Sequence, residues 1–555
     1  MRKFISKMMT LIMAMTMVFA TSVTAFAADA DKKATLTING QEGAEYTVYQ
    51  VMSAKELSSG LYAYTVSSDF QNGVFPLNVG NKTYVLNGNN EICLETTNEK
   101  QEKVQTPITT DGLKYDKNTY NLNSDTAQLA AALAGHAKTE AATLSIAESA
   151  KSVSQDLSIG YYLIKQTKVP SSTDAKNGYV ASKPVLVNLT ENKVVTAKDD
   201  TEKLDKTITG LNTDTSKNVD ENTAKIGDVI NYKVTTYIPT YGTGVDKDSL
   251  KFYLYDTFSE GITYNNDVKV FISDTQDAKG NELTTGFTTD KLAKADATFE
   301  INLNAETIFA NQGKYVTLEY SGTLNKDAVI NSAAGNPNTI ELKYTNNPGT
   351  GEDHLKDTVK TYSFGLGIKK VDKATQEELD GAVFTLTKSG TDQPIQLVKV
   401  NDDEYRVATK DEIDNGNTVT DILVNSKSGH NPVIKGLDEG KYVLHEKTAP
   451  DHYSVVSDIT VTVEANKNAD GDYLGSATIS VDSGKLQDGK NDSSTDSKVT
   501  ATDGTVNINV YVEDTKGISL PETGSKTAMY CLLGGGLLVI MGGAFFGLTS
   551  RKKRS

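Results

Sequence analysis

Three charged residues fall on the apolar faces of strand-like segments in the last third of the sequence. Side chains alternate between the two faces of a β-strand, so residues of the same parity share a face. By this rule Lys370, Glu446 and Asp514 each continue an apolar row. The rows are Phe364, Leu366 and Ile368 before Lys370, Tyr442 and Leu444 before Glu446, and Ile508, Val510 and Val512 before Asp514. A buried charge costs free energy unless it is paired or neutralised, so we expect the three groups to meet inside one core.

These three residue types together could form a covalent bond. Burial lowers the pKa of a lysine and raises that of a carboxylic acid. A neutral Lys370 amine could attack the side-chain carbonyl carbon of Asp514 while protonated Glu446 hydrogen-bonds the carbonyl oxygen and shuttles protons. Such positioning can lower the barrier by roughly 7–11 kcal/mol. The product would be a Lys–Asp isopeptide bond made without a cofactor. The alternative interpretation of the same residues is a buried salt-bridge triad.

A second set of polar residues in the middle of the chain repeats this pattern. Lys206 lies between Leu204 and Ile208 on one strand face, and Asp256 lies between Leu254 and Phe258. Asn346 follows the same-face residues Ile340, Leu342 and Tyr344. Parity therefore directs a lysine, an acid and an amide towards the interior of a second core.

The elements that must position these residues are short strands. Runs of Val, Ile, Thr and Tyr alternate with polar residues and are separated by Gly, Asn and Asp, which is typical of β-sandwich domains. The exception is the Ala-rich stretch 123–155, which predicts one or two helices inside the first domain. Breaks in composition at residues 198–204 and 347–356 divide the exported part of the chain. The predicted domains are 28–197, 198–360 and 361–516.

The N-terminus predicts export. Arg2, Lys3 and Lys7 precede an apolar stretch over residues 8–19, and Ala25-Phe26-Ala27 supplies small residues where a signal peptidase cuts. We therefore expect a signal peptide over residues 1–27 and a mature start near Ala28.

The C-terminus predicts retention at the membrane. Residues 517–555 contain the pentapeptide Leu520-Pro521-Glu522-Thr523-Gly524, an uncharged and mostly apolar run over 527–550, and a basic cluster over 551–554. The apolar run is long enough to span a bilayer as a transmembrane helix. The basic cluster behind it would stay on the cytoplasmic side.

Composition excludes several function classes. The net charge of −16 argues against nucleic-acid binding, which favours a basic face. The two cysteines are Cys93 and Cys531, and Cys531 lies in the terminal apolar run, so the exported part cannot form an internal disulfide. The five histidines lack metal-ligand spacing, and no nucleophile elbow, phosphate loop or dinucleotide fingerprint occurs. We therefore expect neither an enzyme nor a metal or cofactor site.

The C-terminal pentapeptide, apolar run and basic end resemble the cell-wall sorting signal of Gram-positive bacteria. In that family the transpeptidase sortase cleaves the Thr–Gly bond and passes the threonyl group to an amine. Residues 442–450, with Tyr453 beyond them, resemble the E-box of Gram-positive pilins, and residues 370–372 and 379–384 resemble the opening of a collagen-adhesin B-type domain. The resemblance implies a spontaneous isopeptide bond between Lys370 and Asp514, with Glu446 as the acid.

The middle domain of this chain also resembles the Gram-positive pilins. Residues 255–264 resemble their acid-bearing strand and residues 344–348 their closing strand. The resemblance implies a Lys206–Asn346 bond with Asp256 as the acid; Asn347 is a rival acceptor that parity disfavours. In the first domain Gln166 replaces the E-box glutamate and Gly40 the lysine, so no cross-link is expected there.

The resemblance also implies a lysine that accepts the next subunit, at the end of the first domain. Lys198 occupies that position, although Ala197 replaces the family's usual proline, and Lys193 and Lys203 are alternatives. We therefore expect this protein to be the structural backbone subunit of a wall-anchored pilus that contributes to surface adhesion. Its expected partners are sortase, neighbouring pilin subunits and peptidoglycan. The alternative is a wall-anchored adhesin that does not polymerise and binds a host ligand.

Overall fold

The computed structural model describes residues 32–71, 73–109, 125–198, 200–211, 219–241, 245–349, 351–488, 497–500 and 508–517. The predicted signal peptide, the pentapeptide Leu520 to Gly524, the apolar run and the basic end lie outside these residues. Within the described ranges, no helix has the length and apolar character needed to cross a membrane.

The first part of the chain is built from short strands and one α-helix. Its strands are β1 (Lys33–Asn39), β2 (Glu45–Ser58), β3 (Leu61–Val66), β4 (Leu77–Val79), β5 (Lys82–Leu86), β6 (Ile92–Thr97), β7 (Lys103–Pro107), β8 (Glu140–Ser145), β9 (Ser152–Ser158), β10 (Gly160–Lys168), β11 (Asn177–Val180), β12 (Val185–Leu189), β13 (Lys193–Thr196) and β14 (Asp200–Lys203), with helix α1 (Asp125–Ala134) between β7 and β8. They form sheets in the orders β13-β1-β9, β12-β10-β2-β3 with β8 on β2, β4-β5-β6-β7, and β11-β14.

The Ala-rich stretch 123–155 is helical only in its first third. Helix α1 buries Leu129, Ala130 and Leu133 in one apolar cluster with residues of β10 and β12. After Gly135 the chain continues into β8 and β9, so the second of the one or two predicted helices does not form. Residues 140–145 pair with β2 instead and bury Leu144, because sheet pairing in the folded domain outweighs a weak local helix preference.

The second part of the chain forms two sheets that enclose an apolar core. Its strands are β15 (Asp205–Leu211), β16 (Glu221–Thr223), β17 (Val229–Tyr237), β18 (Phe252–Phe258), β19 (Ile262–Tyr264), β20 (Lys269–Ser273), β21 (Asn281–Glu282), β22 (Phe287–Thr288), β23 (Phe299–Leu303), β24 (Tyr315–Leu324), β25 (Asn336–Asn347) and β26 (Gly351–Tyr362), with helix α2 (Ala305–Ala310). One sheet has the order β15-β17-β24-β20-β21 with β19 on β24, and the other has the order β16-β26-β25-β18-β23-β22. The core between them includes Tyr232, Phe252, Leu318 and Leu342.

The third part of the chain repeats the two-sheet arrangement. Its strands are β27 (Phe364–Asp372), β28 (Asp380–Lys388), β29 (Leu397–Lys399), β30 (Glu404–Val407), β31 (Ile422–Asn425), β32 (Val433–Leu437), β33 (Gly440–Thr448), β34 (Ile459–Lys467), β35 (Tyr473–Val481), β36 (Lys485–Asp488), β37 (Lys498–Thr500) and β38 (Ile508–Asp514), with helix α3 (Lys410–Asp414). The sheets have the orders β29-β30-β32-β27-β38-β36 and β31-β28-β33-β34-β35-β37. The predicted mainly β architecture in tandem units is confirmed.

Near each predicted domain division, the chain leaves one set of sheets and enters the next. β14 pairs back onto β11 and is separated from β15 only by Leu204, while only Ser363 separates β26 from β27. The exact divisions at 197/198 and 360/361 stay predictions.

Candidate cross-link sites

The third domain brings Lys370, Glu446 and Asp514 together in its core. β27 and β38 are parallel neighbours, with Lys370 opposite Val512 and Asp372 opposite Asp514. Asp514 therefore lies two residues beyond the partner of Lys370 and shares its face. β33, in the facing sheet, supplies Glu446. The relative exposure of the three residues is 0%, 1% and 0%.

The Lys370 amine contacts both acids. Its Nζ lies 2.7 Å from Glu446 Oε1 and donates a hydrogen bond to Asp514 Oδ1. The other Glu446 oxygen, Oε2, accepts a hydrogen bond from the Val456 N–H at 2.8 Å, which fixes the carboxyl group. The Phe384 ring centroid lies 5.5 Å from Nζ and provides an apolar wall.

Burial shapes the acidity of this site. Removal from water raises the pKa of Asp514 to about 6, a shift that contact with Lys370 opposes and the neighbouring Glu446 reinforces. A carboxyl group that is still protonated near neutral pH can lose its OH oxygen as water, which a carboxylate cannot do. An amine, a carboxyl carbon and a second acid are thus in contact, which is the arrangement that amide formation needs.

The second domain holds a similar cluster around Asp256. Lys206 on β15, Asp256 on β18 and Asn338 on β25 all have 0% relative exposure. Lys206 Nζ donates to Asp256 Oδ2 at 2.6 Å, and Asn338 Nδ2 donates to Asp256 Oδ1. The Tyr320 hydroxyl accepts a hydrogen bond from Lys206 Nζ and donates one to Asp256 Oδ2 at 2.6 Å.

Burial in an aromatic cage affects the lysine of this cluster. The Tyr232 and Tyr320 ring centroids lie 5.0 and 4.8 Å from Lys206 Nζ. Loss of water contact lowers the pKa of Lys206, and the attraction of Asp256 opposes that change. A lysine must lose its proton to act as a nucleophile, so burial favours the reactive form.

The structure does not bring the predicted acceptor Asn346 to Lys206; the asparagine that lies beside Lys206 and Asp256 is Asn338. In the antiparallel pair β18–β25, Phe258 is opposite Asn338 and Asp256 is opposite Ile340. Asn346 is eight residues further along, a distance of about 26 Å at the strand rise of about 3.3 Å per residue. Parity placed the acceptor on the correct face, and Asn338 shares that parity, but parity carries no information on the position along the strand.

Asn346 and Asn347 contact the first domain instead. The Asn346 carbonyl accepts a hydrogen bond from the Ala181 N–H at 2.8 Å. Asn347 Nδ2 donates a hydrogen bond to the main-chain carbonyl of Gln166 at 3.3 Å. The asparagines that resembled a reactive closing motif thus join the end of β25 to β10 and to the residue after β11 at a domain junction.

The first domain has the strand layout of such a site but different side chains. β1 runs parallel to β13, as β27 does to β38. Gln166 is buried, and its Oε1 accepts a hydrogen bond from the Ser182 N–H at 2.6 Å. A side chain at Gly40 would collide with the Tyr46 hydroxyl. A neutral amide cannot shuttle a proton as an acid does, so the absence of a cross-link here stays our prediction.

The three candidate linkage lysines lie at the end of the first domain and the start of the second. Lys198 lies two residues after the end of β13 and is exposed. It lines a cavity of about 20 Å³ together with Tyr46 and Gln166. Lys193 forms an ion pair with Glu191 at 2.5 Å, and Lys203 is exposed at the end of β14. Lys198 is thus an accessible amine close to the first–second domain junction.

Three family models match parts of the sequence. Residues 226–348 match the Gram-positive pilin backbone subunit 2, Cna-B-like domain. Residues 364–476 match the prealbumin-like fold domain, and residues 512–554 match the LPXTG cell wall anchor motif.

Individual proteins also resemble this chain. The trypsin-resistant surface T6 protein of Streptococcus pyogenes serotype M6 is 25% identical over 369 residues, which cover 60% of this chain and 60% of that protein. The structure of the T6 backbone pilin of S. pyogenes serotype M6 matches with a TM-score of 0.50 and 18% identity, over 88% of this chain and 100% of that one. The full-length major pilin SpaD of Corynebacterium diphtheriae gives a TM-score of 0.45 and 15% identity, over 89% and 99%.

These matches define the domain content and the location of the protein. The cell wall anchor motif indicates a secreted, cell-wall-anchored surface protein, as predicted. The matched domain model and the matched T6 structure both describe pilin backbone subunits. The chain therefore contains regions that match a pilin backbone Cna-B-like domain, a prealbumin-like fold domain and an LPXTG anchor motif, and its sequence is similar to the T6 surface protein of S. pyogenes.

Proposed function

We propose that this protein is the backbone subunit of a sortase-polymerised, wall-anchored pilus, and that its second and third domains each contain an intramolecular isopeptide bond. The observation that carries the proposal is the pair of buried lysine–acid clusters, each with an amide or carboxyl carbon available for attack. The homology to backbone pilins and the anchor motif support the role in a polymer.

In the second domain, the Lys206 amine attacks Asn338 Cγ. The Nζ–Cγ bond forms, the Cγ–Nδ2 bond breaks, and the departing nitrogen takes a proton of the amine and leaves as ammonia. Asp256 contacts both Nζ and Nδ2, so it can carry that proton from one nitrogen to the other. No cofactor or oxidant is needed.

In the third domain, the Lys370 amine attacks Asp514 Cγ. The Nζ–Cγ bond forms, one Cγ–O bond breaks, and the oxygen leaves as water with protons from the amine and the carboxyl group. Glu446 contacts Nζ and is held by the Val456 N–H, which suits it to transfer the proton.

Both bonds would stabilise domains that lack disulfides. Lys206 and Asn338 lie near the start and the end of the second domain, as do Lys370 and Asp514 in the third. A covalent link across such a long stretch restricts the unfolded chain in the same way as a disulfide. Cys93, the free cysteine among the described residues, is buried.

The mass of the intact protein tests the two bonds. The recombinant ectodomain, residues 28–517, should be lighter than its sequence by one ammonia and one water. The N338A variant should keep the water loss and abolish the ammonia loss. The matched N346A variant should lose both molecules, as the wild type does. A wild-type mass equal to that of the unmodified sequence would contradict both assignments.

A sortase assay tests the polymer. In the proposed reaction the Thr523–Gly524 bond breaks and the Thr523 carbonyl is transferred to Lys198 Nζ of a neighbouring subunit, or to a peptidoglycan amine at the end of assembly. Cells that produce the K198A variant should show single anchored subunits and no high-mass polymers, whereas K193A and K203A should polymerise. Polymers in the K198A variant would show that Lys198 is not the linkage lysine. A lack of polymers in the wild type would favour the alternative of an adhesin that does not polymerise.

A further inference from the structure

A loop of the first domain reaches the start of β15, the strand that carries Lys206. β11 pairs with β14, with Asn177 opposite Lys203. Just before β11, the Lys176 carbonyl accepts a hydrogen bond from the Leu204 N–H at 2.9 Å. The main chain of Lys176 therefore fixes the residue that begins the apolar row of Lys206.

The side chain of Lys176 reaches the same strand through an acid. Lys176 Nζ lies 2.8 Å from Asp357 Oδ1, and the Asp357 side chain is 1% exposed. The other oxygen, Asp357 Oδ2, accepts a hydrogen bond from the main-chain N–H of Lys206 at 2.7 Å. Lys176 thus contacts the lysine-bearing strand twice, once through its carbonyl and once through Asp357.

The charge of Asp357 matters for the reactivity of Lys206. A nearby negative charge favours the protonated form of a lysine and so raises the pKa of Lys206, in opposition to burial. Burial also raises the pKa of Asp357 itself, and its contact with Lys176 opposes that change. The Lys176 ammonium group compensates the Asp357 charge, and compensation lowers the cost of removing the proton from Lys206.

The other groups around these residues do not provide that compensation. Lys206 is faced by Asp256 on β18, Tyr320 on β24 and Tyr232 on β17. Around Asp357, the Thr358 N–H donates to Oδ1. The acids near Lys176 are Asp220, at 3.8 Å from Nζ, and Asp205. Among these described neighbours, Lys176 alone brings a positive charge to Asp357.

We propose that Lys176 is a positioning residue for the Lys206–Asn338 bond, so that docking of the first-domain loop promotes cross-linking in the second domain. The inference rests on the proposed function, because it concerns the rate of the proposed reaction. It assigns to the domain junction a regulatory role in bond formation as well as a structural one.

Refolding kinetics test the inference. The ectodomain is isolated in denaturant before it has folded, so that it still has the full mass of its sequence. Refolding is then started by dilution, and ammonia and water loss are followed by mass spectrometry. We expect K176M to lose ammonia about tenfold more slowly, since one unit of lysine pKa changes the neutral fraction about tenfold. K176R should keep the wild-type rate. K343M is the matched control. It also removes a lysine that is paired with an acid, because Lys343 forms an ion pair with Glu352 on β26, the strand that carries Asp357.

A double variant separates charge from folding. Asn at position 357 can still accept the Lys206 N–H but has no charge, so D357N should restore ammonia loss in the K176M background. The pH–rate profile of K176M should shift to higher pH, and D357N should reverse the shift. A purely structural role of Lys176 would predict neither result.

The third domain supplies an internal reference. Its water loss should proceed at the same rate in every variant. Equal ammonia loss in the wild type and K176M would overturn the inference, and so would a parallel slowing of ammonia and water loss. A wild type that loses no ammonia would instead refute the proposed function.

Discussion

At the scale of single residues, the three domains differ in what their buried polar groups can do. Glu446 and Asp256 are buried acids in contact with a lysine amine. Gln166 has a similar strand position and burial, but its amide oxygen accepts a hydrogen bond from the Ser182 N–H, and the amide cannot exchange a proton as an acid does. The chemical difference between an acid and an amide thus separates two candidate cross-linking domains from one that we expect to lack a bond.

Replacement of the third-domain acid tests this difference. E446Q keeps the size of the side chain and a hydrogen-bonding carbonyl but cannot shuttle a proton, so the water loss should disappear while the ammonia loss remains. By the chain-entropy estimate for loops of this length, the free energy of unfolding should fall by about 5 kcal/mol. Intact mass and denaturant unfolding measure the two effects.

The exposed residue Glu464 on β34 provides the control. E464Q changes the charge of the same domain by the same amount and should keep both losses and the wild-type stability. A normal water loss in E446Q would contradict the role of Glu446.

At the scale of elements, sequence reasoning predicted faces better than positions. Alternation identified the inward faces of β15, β18, β25, β27, β33 and β38, because the pleat fixes side-chain direction locally. It did not select Asn338 over Asn346, since both have the same parity and only the register of β25 against β18 separates them. The contact of Lys176 with Asp357 joins residues from different domains, so no local pattern could reveal it.

The short strand β14 carries an unusual group at the junction of the first two domains. Glu202 is fully buried, and its Oε1 accepts hydrogen bonds from Thr236 Oγ1 at 2.6 Å and the Tyr237 N–H at 2.9 Å. Burial raises the pKa of Glu202 from 4.5 to about 8. No lysine or arginine within the described ranges is paired with it in an ion pair.

This acid should make the stability of the junction pH-dependent. The unfolded chain releases the Glu202 proton near its ordinary pKa, and the folded chain keeps it until about pH 8. The folded state therefore binds more protons between these values, so stability should fall as pH rises through the window and then level off. Denaturant unfolding of the wild type and E202Q at several pH values measures the effect.

E202Q removes the titrating group and should flatten this part of the profile. E221Q, which replaces a partly exposed carboxyl group, is the matched control for the loss of one acid. An identical slope in the wild type and E202Q would show that another group is responsible.

At the scale of the whole molecule, the proposed bonds should control resistance to proteases. A protease cleaves a segment only after it opens, and a link between distant strands makes large openings rare. The described exported chain has many exposed lysines, so cleavage sites for trypsin are present throughout.

We expect the double variant K206A/K370A to be digested by trypsin at least tenfold faster than the wild-type ectodomain, given that a loss of about 1.4 kcal/mol already raises the open population tenfold. K198A removes a lysine outside both clusters and should digest like the wild type. Gel-based half-lives provide the measurement. Equal half-lives for the double variant and the wild type would argue against a stabilising role of the bonds.

The parallel pairing of β27 and β38 has a mechanical consequence for the proposed pilus. The chain enters the third domain at Phe364, and the proposed bond at Lys370 would lead directly to Asp514, where the chain leaves. With the bond in place, a pulling force passes through seven residues of β27 and two side chains. The 143 residues from 371 to 513 carry none of it. Without the bond they could extend by roughly 480 Å, at about 3.4 Å per residue. One amide bond in each of the second and third domains would thus decide whether these domains behave as a rod of constant length or as an extensible chain.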